Sequence, residues 1–345
     1  MKVCILTNYN VRRDSVNELL IYNRLVKTLE LAPCDIFNIT DRNIEYTINS
    51  NYTHVLVILD YEMTSITTSR DILTELKIPR VFIIDTVPEE HRELDDYFTK
   101  VITRNPVSRY VGLSHKLQTL LYEDYADGFV FYSRLDQDLF ENFYKLVKEK
   151  PVIIIPPSLG KEADIGVDLS HFSPNNSIGF NGTPSFANGL LTLYQAIKES
   201  SKYSVNLYGS HGRGALNNEL LVNELTENSQ AIKFKGKLRD YANFFKTNHV
   251  YYDVSIYGGF HYFSYISLLN GMVPIISTVS AQKEYLSDYP FIVEPNEESV
   301  KSTLDKVYKT PPGILKQVIN QYGASLVELN DERSREYYSK FLKSF

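Results

Sequence analysis

The chain starts the same strand–loop–helix pattern twice, about half a chain apart. The first start is an apolar run at residues 2–7 that enters a polar loop at residues 8–10. The second is the run at residues 177–180, which enters Asn181-Gly182-Thr183. A chain that restarts the β/α alternation halfway usually builds two Rossmann-like domains that face a cleft. Such a cleft keeps a donor and an acceptor away from water, so the pattern indicates group transfer.

The length of 345 residues suits two such domains better than one. We expect an α/β fold with an acceptor-binding domain at residues 1–160, a linker rich in turn-forming residues at 161–176 and a nucleotide-binding domain at 177–311. The tail at 312–345 reads as helical, and we expect it to pack back on the first domain. The predicted strands lie near residues 3–6, 34–38, 54–59, 80–84, 128–132, 152–155, 178–180, 204–208, 232–234, 250–254, 273–276 and 291–293. The predicted helices between them lie near residues 15–31, 65–76, 108–122, 137–148, 186–199, 216–224, 239–247, 263–269 and 281–286.

Composition excludes several classes of protein. The chain is 43% hydrophobic and 23% charged, as in soluble globular proteins, and no apolar run approaches the roughly 20 residues of a membrane span. The sequence opens directly on a strand, so we expect a cytoplasmic protein. The net charge of −6 differs from that of proteins that coat nucleic acid. No Cys/His spacing indicates zinc, and the absence of G-x-G-x-x-G argues against a NAD dehydrogenase.

Asp85 is the candidate general base in the first half. It ends the apolar run at residues 81–84, and carboxyl ends of strands line the ligand crevice of an open α/β sheet. A carboxylate there can take a proton from an attacking hydroxyl. Capping of the following turn is the alternative interpretation, and Asp60 is a rival at the end of another strand.

Three strand ends in the second half have residues suited to a nucleotide. Asn181-Gly182-Thr183 and the segment from Tyr208 and Gly209 to Arg213 leave strands through glycine-containing loops, where backbone amides can approach phosphate. Gly236-Lys237-Leu238 follows another strand and can offer backbone groups to a base. An ordinary surface loop is the alternative for the segment at 208–214.

The stretch at residues 253–277 is the longest informative segment. A strand leads through a glycine-rich loop to a short helix, and Met272-Val273-Pro274 opens the next strand. The loop amides and the helix dipole both suit a phosphate. Ser264 and Ser267 on the helix could face a ribose.

This stretch resembles the donor-binding segment of two-domain (GT-B) glycosyltransferases. In that family an acidic residue and Gly-Phe precede a helical Glu that lies seven residues before a Pro. Here Gly259-Phe260 and Pro274 match, and Ser267 stands at the Glu position. The resemblance implies nucleotide-sugar contacts from Gly259, Phe260, His261, Tyr262, Ser264 and Ser267. In that family the Glu normally holds the ribose, and here Ser267 replaces it. A binding module that has lost catalysis is therefore an alternative interpretation.

The layout of the whole chain resembles the DNA β-glucosyltransferases of T-even bacteriophages. Their catalytic Asp ends an apolar strand before a loop containing Pro, which Asp85 and Pro88 match. Their strand end that reads uracil resembles residues 236–238, and their second domain opens on a Gly-Ser that Gly182-Thr183 resembles. The arginines that clasp the diphosphate in that family fall near Ala187 and Ser264 of this chain.

The loop after the first strand and the segment at 208–214 supply candidates to replace those arginines. Arg12, Arg13 and Arg213 could clasp the diphosphate, and Asn8 and Asn10 could contact the donor sugar or its phosphate.

A DNA acceptor requires positive charge beside the cleft. Residues 99–121 contain Lys100, Arg104, Arg109 and Lys116 and no acidic residue, although ordinary helix solvation explains the same pattern. The D-x-D at residues 136–138, which other glycosyltransferases use for a metal, opens a predicted helix and is interpreted as capping.

The resulting expectation is an inverting glycosyltransferase that uses a UDP-sugar as co-substrate. We expect no resident cofactor, although a requirement for a divalent metal is left undecided. We also expect a monomer that does not bind a membrane. Double-stranded DNA carrying a hydroxymethylpyrimidine is the first choice of acceptor. A cell-surface glycan or a protein is the alternative acceptor, and a retaining outcome is also open.

Overall fold

The structure is a computed structural model of the 345-residue chain. It describes residues 1–7, 24–41, 43–59, 63–84, 120–143, 149–159, 175–182, 188–209, 216–255, 261–326 and 329–345. Two separate six-stranded sheets, all parallel in their pairings, form the frame of the molecule.

The first sheet comes from the N-terminal half and has the strand order 2-1-3-4-5-6. Its strands are β1 (Val3–Thr7), β2 (Ile36–Asn38), β3 (His54–Ile58), β4 (Arg80–Ile84), β5 (Gly128–Phe131) and β6 (Val152–Ile154). After their first residue, β1, β3 and β4 are buried along their whole length, as expected of parallel strands covered on both faces.

The second sheet comes from the C-terminal half and has the order 12-11-10-7-8-9. Its strands are β7 (Ser177–Asn181), β8 (Ser204–Tyr208), β9 (Ile232–Phe234), β10 (Val250–Asp253), β11 (Val273–Ser277) and β12 (Ile292–Val293). The chain adds β8 and β9 on one side of β7 and then β10 to β12 on the other. The direction of winding therefore reverses between β7 and β10.

Helices cover the faces of both sheets. Those with described bounds are α1 (Ile44–Asn51), α2 (Met63–Glu75), α3 (Arg134–Phe143), α4 (Leu190–Ile197), α5 (Leu216–Glu227), α6 (Tyr241–Thr247), α7 (Tyr262–Leu269), α8 (Glu297–Lys309), α9 (Pro312–Leu326) and α10 (Asp331–Leu342). None of the helices in this described part is both long and apolar enough to cross a bilayer.

The C-terminal tail forms two helices, and α10 is the one that returns to the first domain. Asp331 accepts hydrogen bonds from Thr28 Oγ1 at 2.7 Å and Ser158 Oγ at 2.6 Å. Arg335 Nε donates to the carbonyl of Thr28 at 2.7 Å. The predicted fold class, two Rossmann-like domains with a C-terminal helix on the first, is therefore confirmed.

Two predicted elements differ in kind. Residues 33–35 form a 3₁₀ turn, so the strand predicted over 34–38 shortens to β2. The turn is favoured by Pro33 at its first position and by Asp35, whose carboxylate accepts from Ala32 N at 2.8 Å and whose N–H donates to the Ala32 carbonyl at 2.9 Å. Residues Ala281–Glu284 form a 3₁₀ turn where a helix was predicted, and this turn is called the bridging turn below.

Candidate functional site

The carboxyl ends of β7, β8 and β9 bring three of the predicted segments together. Gly182 N donates to the carbonyl of Tyr208 at 3.0 Å, and Gly209 N donates to the carbonyl of Gly236 at 3.0 Å. Tyr251 OH donates to the carbonyl of Asn181 at 3.1 Å. These loops therefore share one edge of the second sheet, beside the point between β7 and β10 where ligands of open α/β sheets bind.

The space beside Gly236 that a Cβ would occupy is free of neighbouring atoms, next to the backbone of residues 237–238. Its φ is +70°, a left-handed conformation that favours glycine, and a Cβ built there meets nothing within 4 Å. Leu238 is buried at 3% exposure and anchors the segment in the core.

A buried polar cluster lies where β10 ends and α7 begins. Asp253, the last residue of β10, is 6% exposed and hydrogen-bonds His261 Nδ1 through Oδ1. Its Oδ2 accepts from Ser264 Oγ and, at 2.8 Å, from Gln282 Nε2 of the bridging turn. These four side chains are called the Asp253 cluster.

The Asp253 cluster favours a protonated imidazole. Burial of the His261 ring opposes protonation, but the charge and hydrogen bond of Asp253 outweigh it, with a contribution from Asp136, and raise the pKa of His261 above 6.5. His261 is also the residue that precedes α7, where the helix dipole is positive. The cluster therefore combines a cationic group with a helix N-terminus.

The predicted serines and Tyr262 are buried on α7. Ser264 and Ser267 are both 0% exposed, and Ser264 donates to Asp253. Tyr262 OH donates to the carbonyls of Ser158 at 3.0 Å and Leu159 at 3.2 Å, which precede the predicted linker. Their contacts with a nucleotide stay predictions.

The bridging turn connects the cluster to the first domain. Glu284 accepts hydrogen bonds from the backbone N–H groups of Arg134 at 2.9 Å and Leu135 at 2.7 Å, at the start of α3. Tyr285 OH donates to the carbonyl of Tyr132 at 2.8 Å. A turn that binds Asp253 through Gln282 thus also binds the opposite domain.

The D-x-D segment serves the start of α3. Asp136 lies in the first helical turn, and its backbone N–H donates to Ser133 Oγ at 2.9 Å. Asp138 forms an ion pair with Arg134 at 3.1 Å. Among the residues that the structure describes, no three His, Cys, Asp or Glu side chains form a group that could hold a metal ion.

Several predicted site residues lie outside the described ranges. They are Asp85 and its rival Asp60, the donor-site residues Thr183, Arg213, Gly259 and Phe260, the loop residues Asn8, Asn10, Arg12 and Arg13, and the basic residues Lys100, Arg104, Arg109 and Lys116. Strand β4 ends at Ile84, directly before Asp85.

Sequence reasoning missed Asp253 and Gln282. Asp253 ends the buried strand β10, and Asp85 follows an apolar run in the sequence in the same way, so the same sequence signal could have found Asp253. Gln282 lies 29 residues further on, and only the fold brings it to Asp253.

Comparison with known proteins supports the fold at full length. No family model and no curated protein sequence matches the chain. Among solved structures, HepE from Anabaena in complex with UDP-glucose aligns with a TM-score of 0.75 at 10% identity, covering 100% of both chains. A sucrose-phosphate synthase from Thermosynechococcus elongatus aligns at 0.71 and 12% identity, covering 100% of this chain and 99% of its own.

A glycosyltransferase from Rickettsia africae aligns at a TM-score of 0.67 and 14% identity, covering 100% of this chain and 99% of its own. The chain therefore has the two-domain GT-B fold of these proteins.

Proposed function

We propose that this protein is a glycosyltransferase whose second domain binds a UDP-sugar at the carboxyl edge of β7 to β10. The observation that carries the proposal is the meeting of the Asn181, Tyr208 and Gly236 loops beside the point where the winding reverses. Open α/β sheets bind nucleotides at this point. The full-length likeness to HepE, solved with UDP-glucose, supports the same donor class.

The protein would bind the nucleotide through backbone groups more than through side chains. We assign the base to Gly236, Lys237 and Leu238, and the diphosphate to the loop that leads into α7, with Asn181, Gly182 and Thr183 beside it. The chemistry needs no resident cofactor, because a helix N-terminus and cationic side chains can stabilise a leaving diphosphate. A metal requirement is tested by adding a chelator to the assay described below.

Asp85 is the proposed general base on the first domain. The acceptor hydroxyl would lose its proton to the carboxylate as its oxygen bonds to the anomeric carbon, and the diphosphate would leave with the electron pair of the broken bond. A single displacement of this kind inverts the anomeric centre.

The acceptor is a hydroxyl compound for which two classes compete. The basic stretch with Lys100, Arg104, Arg109 and Lys116 favours hydroxymethylated DNA, whose base would have to leave the stack to reach the cleft. The likeness to a sucrose-phosphate synthase favours a carbohydrate, and on this ground we place a carbohydrate first.

The test is transfer of labelled sugar from UDP-glucose and other UDP-sugars, alone and with each acceptor class. We expect slow hydrolysis without acceptor, transfer with one class, and a loss of about a hundredfold or more for Asp85→Asn with nucleotide affinity retained. Asp71→Asn, an exposed carboxylate on α2, is the matched control and should match the wild type.

Nucleotide binding without turnover for any donor would favour the inactive binding module. Full activity of the Asp85→Asn variant would make Asp85 structural. If the protein binds no hydroxymethylcytosine DNA at either low or high salt, DNA is excluded as the acceptor.

A further inference from the structure

The Asp253 cluster presents one ring nitrogen that its own hydrogen bonds leave unused. We propose that His261 donates a charge-assisted hydrogen bond from Nε2 to the diphosphate of the donor and stabilises the leaving group. This assignment rests on the proposed function, because it names the residue that binds the donor phosphate.

Ring geometry directs Nε2 away from the carboxylate. Asp253 Oδ1 engages His261 Nδ1, and the two ring nitrogens lie on opposite sides of the imidazole. Nε2 has no hydrogen-bond partner among the described residues, and the side chain is 23% exposed. Asp253 therefore fixes the ring and leaves its second N–H available at an accessible position.

Two further buried groups near Asp253, one bonded to it and one two residues after it in the chain, also have polar atoms without partners in the described part of the chain. Gln282 is 0% exposed, and its Oε1 has no partner although its Nε2 donates to Asp253 at 2.8 Å and to the His261 carbonyl at 3.3 Å. Ser255, two residues after Asp253, is 1% exposed with an unpartnered hydroxyl. Buried polar atoms are rarely left unpaired, so the Gln282 oxygen and the Ser255 hydroxyl are both available to a ligand.

The unused groups match the chemistry of a nucleoside diphosphate sugar. A cationic N–H suits a phosphate oxygen, and the Gln282 oxygen, which can only accept, suits a sugar hydroxyl. The first amides of α7, which follow His261 in the chain, add partial positive charge. A ligand with anionic oxygens and hydroxyl groups would complete all of these contacts.

The charges around the ring favour its protonated form and raise its pKa. Asp253 on β10 and Asp136 on α3 both act on His261 and favour the imidazolium, against the effect of burial. On the bridging turn, Gln282 is neutral and Glu284 is engaged by the start of α3. The ring therefore loses its proton only as the pH rises above the ordinary histidine value.

In the transfer step His261 keeps its proton. The bond from the anomeric carbon to the β-phosphate oxygen breaks, and its electron pair goes to the diphosphate. The acceptor oxygen bonds to that carbon and gives its proton to the general base. The imidazolium stabilises the negative charge that develops on the leaving diphosphate.

The experiment is calorimetric titration with UDP-glucose at about pH 6 and about pH 8, a range over which neither its diphosphate nor its uracil changes charge and a histidine can titrate. For the wild type we expect affinity to fall at the higher pH. For His261→Gln we expect affinity lower by about tenfold or more at the lower pH and little change between the two. Uridine, which lacks phosphate, should bind both proteins equally.

Two further variants support the comparison. His54→Gln removes a partly exposed histidine at the start of β3 in the first sheet and should behave as the wild type. Asp253→Asn should move the loss of affinity to lower pH, because it removes the carboxylate that raises the His261 pKa.

Equal affinity of the wild type and His261→Gln for UDP-glucose at both pH values would overturn the assignment while leaving the proposed function standing. Absence of any UDP or UDP-glucose binding by the folded wild type would overturn the proposed function itself. If Asp253→Asn does not fold, the His261→Gln comparison still decides.

Discussion

Asp331 is the residue that ties the C-terminal helix to the first domain. Its carboxylate forms an ion pair with Arg24 and accepts hydrogen bonds from the hydroxyls of Thr28 and Ser158. Arg24 also donates to Ser158 Oγ at 3.1 Å, so the three donors support each other. One side chain at the start of α10 thus contacts two separate segments of the first domain.

We predict that Asp331→Asn lowers the free energy of unfolding by about 1–2 kcal/mol at neutral pH, a value reduced for the partial exposure of the pair. Burial opposes ionisation, but hydrogen bonds from Arg24, Ser158 and Thr28 outweigh it and hold the Asp331 pKa below 3.8. Such a carboxylate stabilises the fold above its unfolded pKa, and this contribution is lost as the pH falls through the folded pKa.

Urea unfolding from neutral pH down to the acid range checks this prediction. The difference between the wild type and the variant should shrink below pH 3.8. Glu332→Gln, on the exposed neighbour, is the matched control and should unfold like the wild type. A difference that persists unchanged in acid would show that the carboxylate charge does not stabilise this contact.

At the scale of elements, the start of α4 packs closely on the end of β10. Gly189 precedes α4 with φ +68°, and a Cβ built there would lie 1.9 Å from the carbonyl oxygen of Val254. Tyr252 OH donates to the Gly189 carbonyl at 2.9 Å. This glycine therefore permits a helix to cover the strand that ends in Asp253.

Gly189→Ala should be much more destabilising than Gly236→Ala. Both glycines have a left-handed φ, near 70°, but a Cβ at Gly236 meets nothing within 4 Å. We expect a loss of about 1 kcal/mol at Gly236, from backbone strain alone, and about 3 kcal/mol or more at Gly189, where overpacking is added. Chemical denaturation measures both, and equal losses would refute the proposed steric role of Gly189.

The strands could be predicted closely because burial leaves either a continuous apolar run or a regular alternation of buried and half-buried residues. The prediction for β4, residues 80–84, matches the continuous run at Arg80–Ile84, and that for β8 matches the alternating strand at Ser204–Tyr208. Two helices were missed. Helix α1 starts after Asn43 without a side-chain cap, so its start has little signal. Helix α8 could have been predicted from the sequence, because Asn296 caps it and acidic residues lie in its first turn.

The site could be predicted only where the residues next to a strand end indicate a binding loop by themselves. The loops after β7, β8 and β9 could be found because glycine follows each strand. The pairing of Asp253 with His261, Ser264 and Gln282 could not, because these partners lie 8, 11 and 29 residues away along the chain and meet only in the folded chain. Pairing of buried polar groups depends on tertiary packing, which single-sequence periodicity does not contain.

At the scale of the whole molecule, the elements beside the proposed donor site also connect the two domains. The bridging turn binds the start of α3 through Glu284, and Tyr262 of α7 reaches the backbone at Ser158 and Leu159. Helix α10 adds the contact at Asp331. The relative position of the domains is therefore linked to the residues around Asp253.

The most direct test of a donor site on the second domain is a crystal structure of the wild-type protein grown with saturating UDP-glucose. We predict electron density for the uracil against residues 236–238 and for the diphosphate at the start of α7, within hydrogen-bonding distance of His261 Nε2. A nucleotide bound at the edge of the first sheet, or an empty second-sheet edge at saturating ligand, would contradict the account.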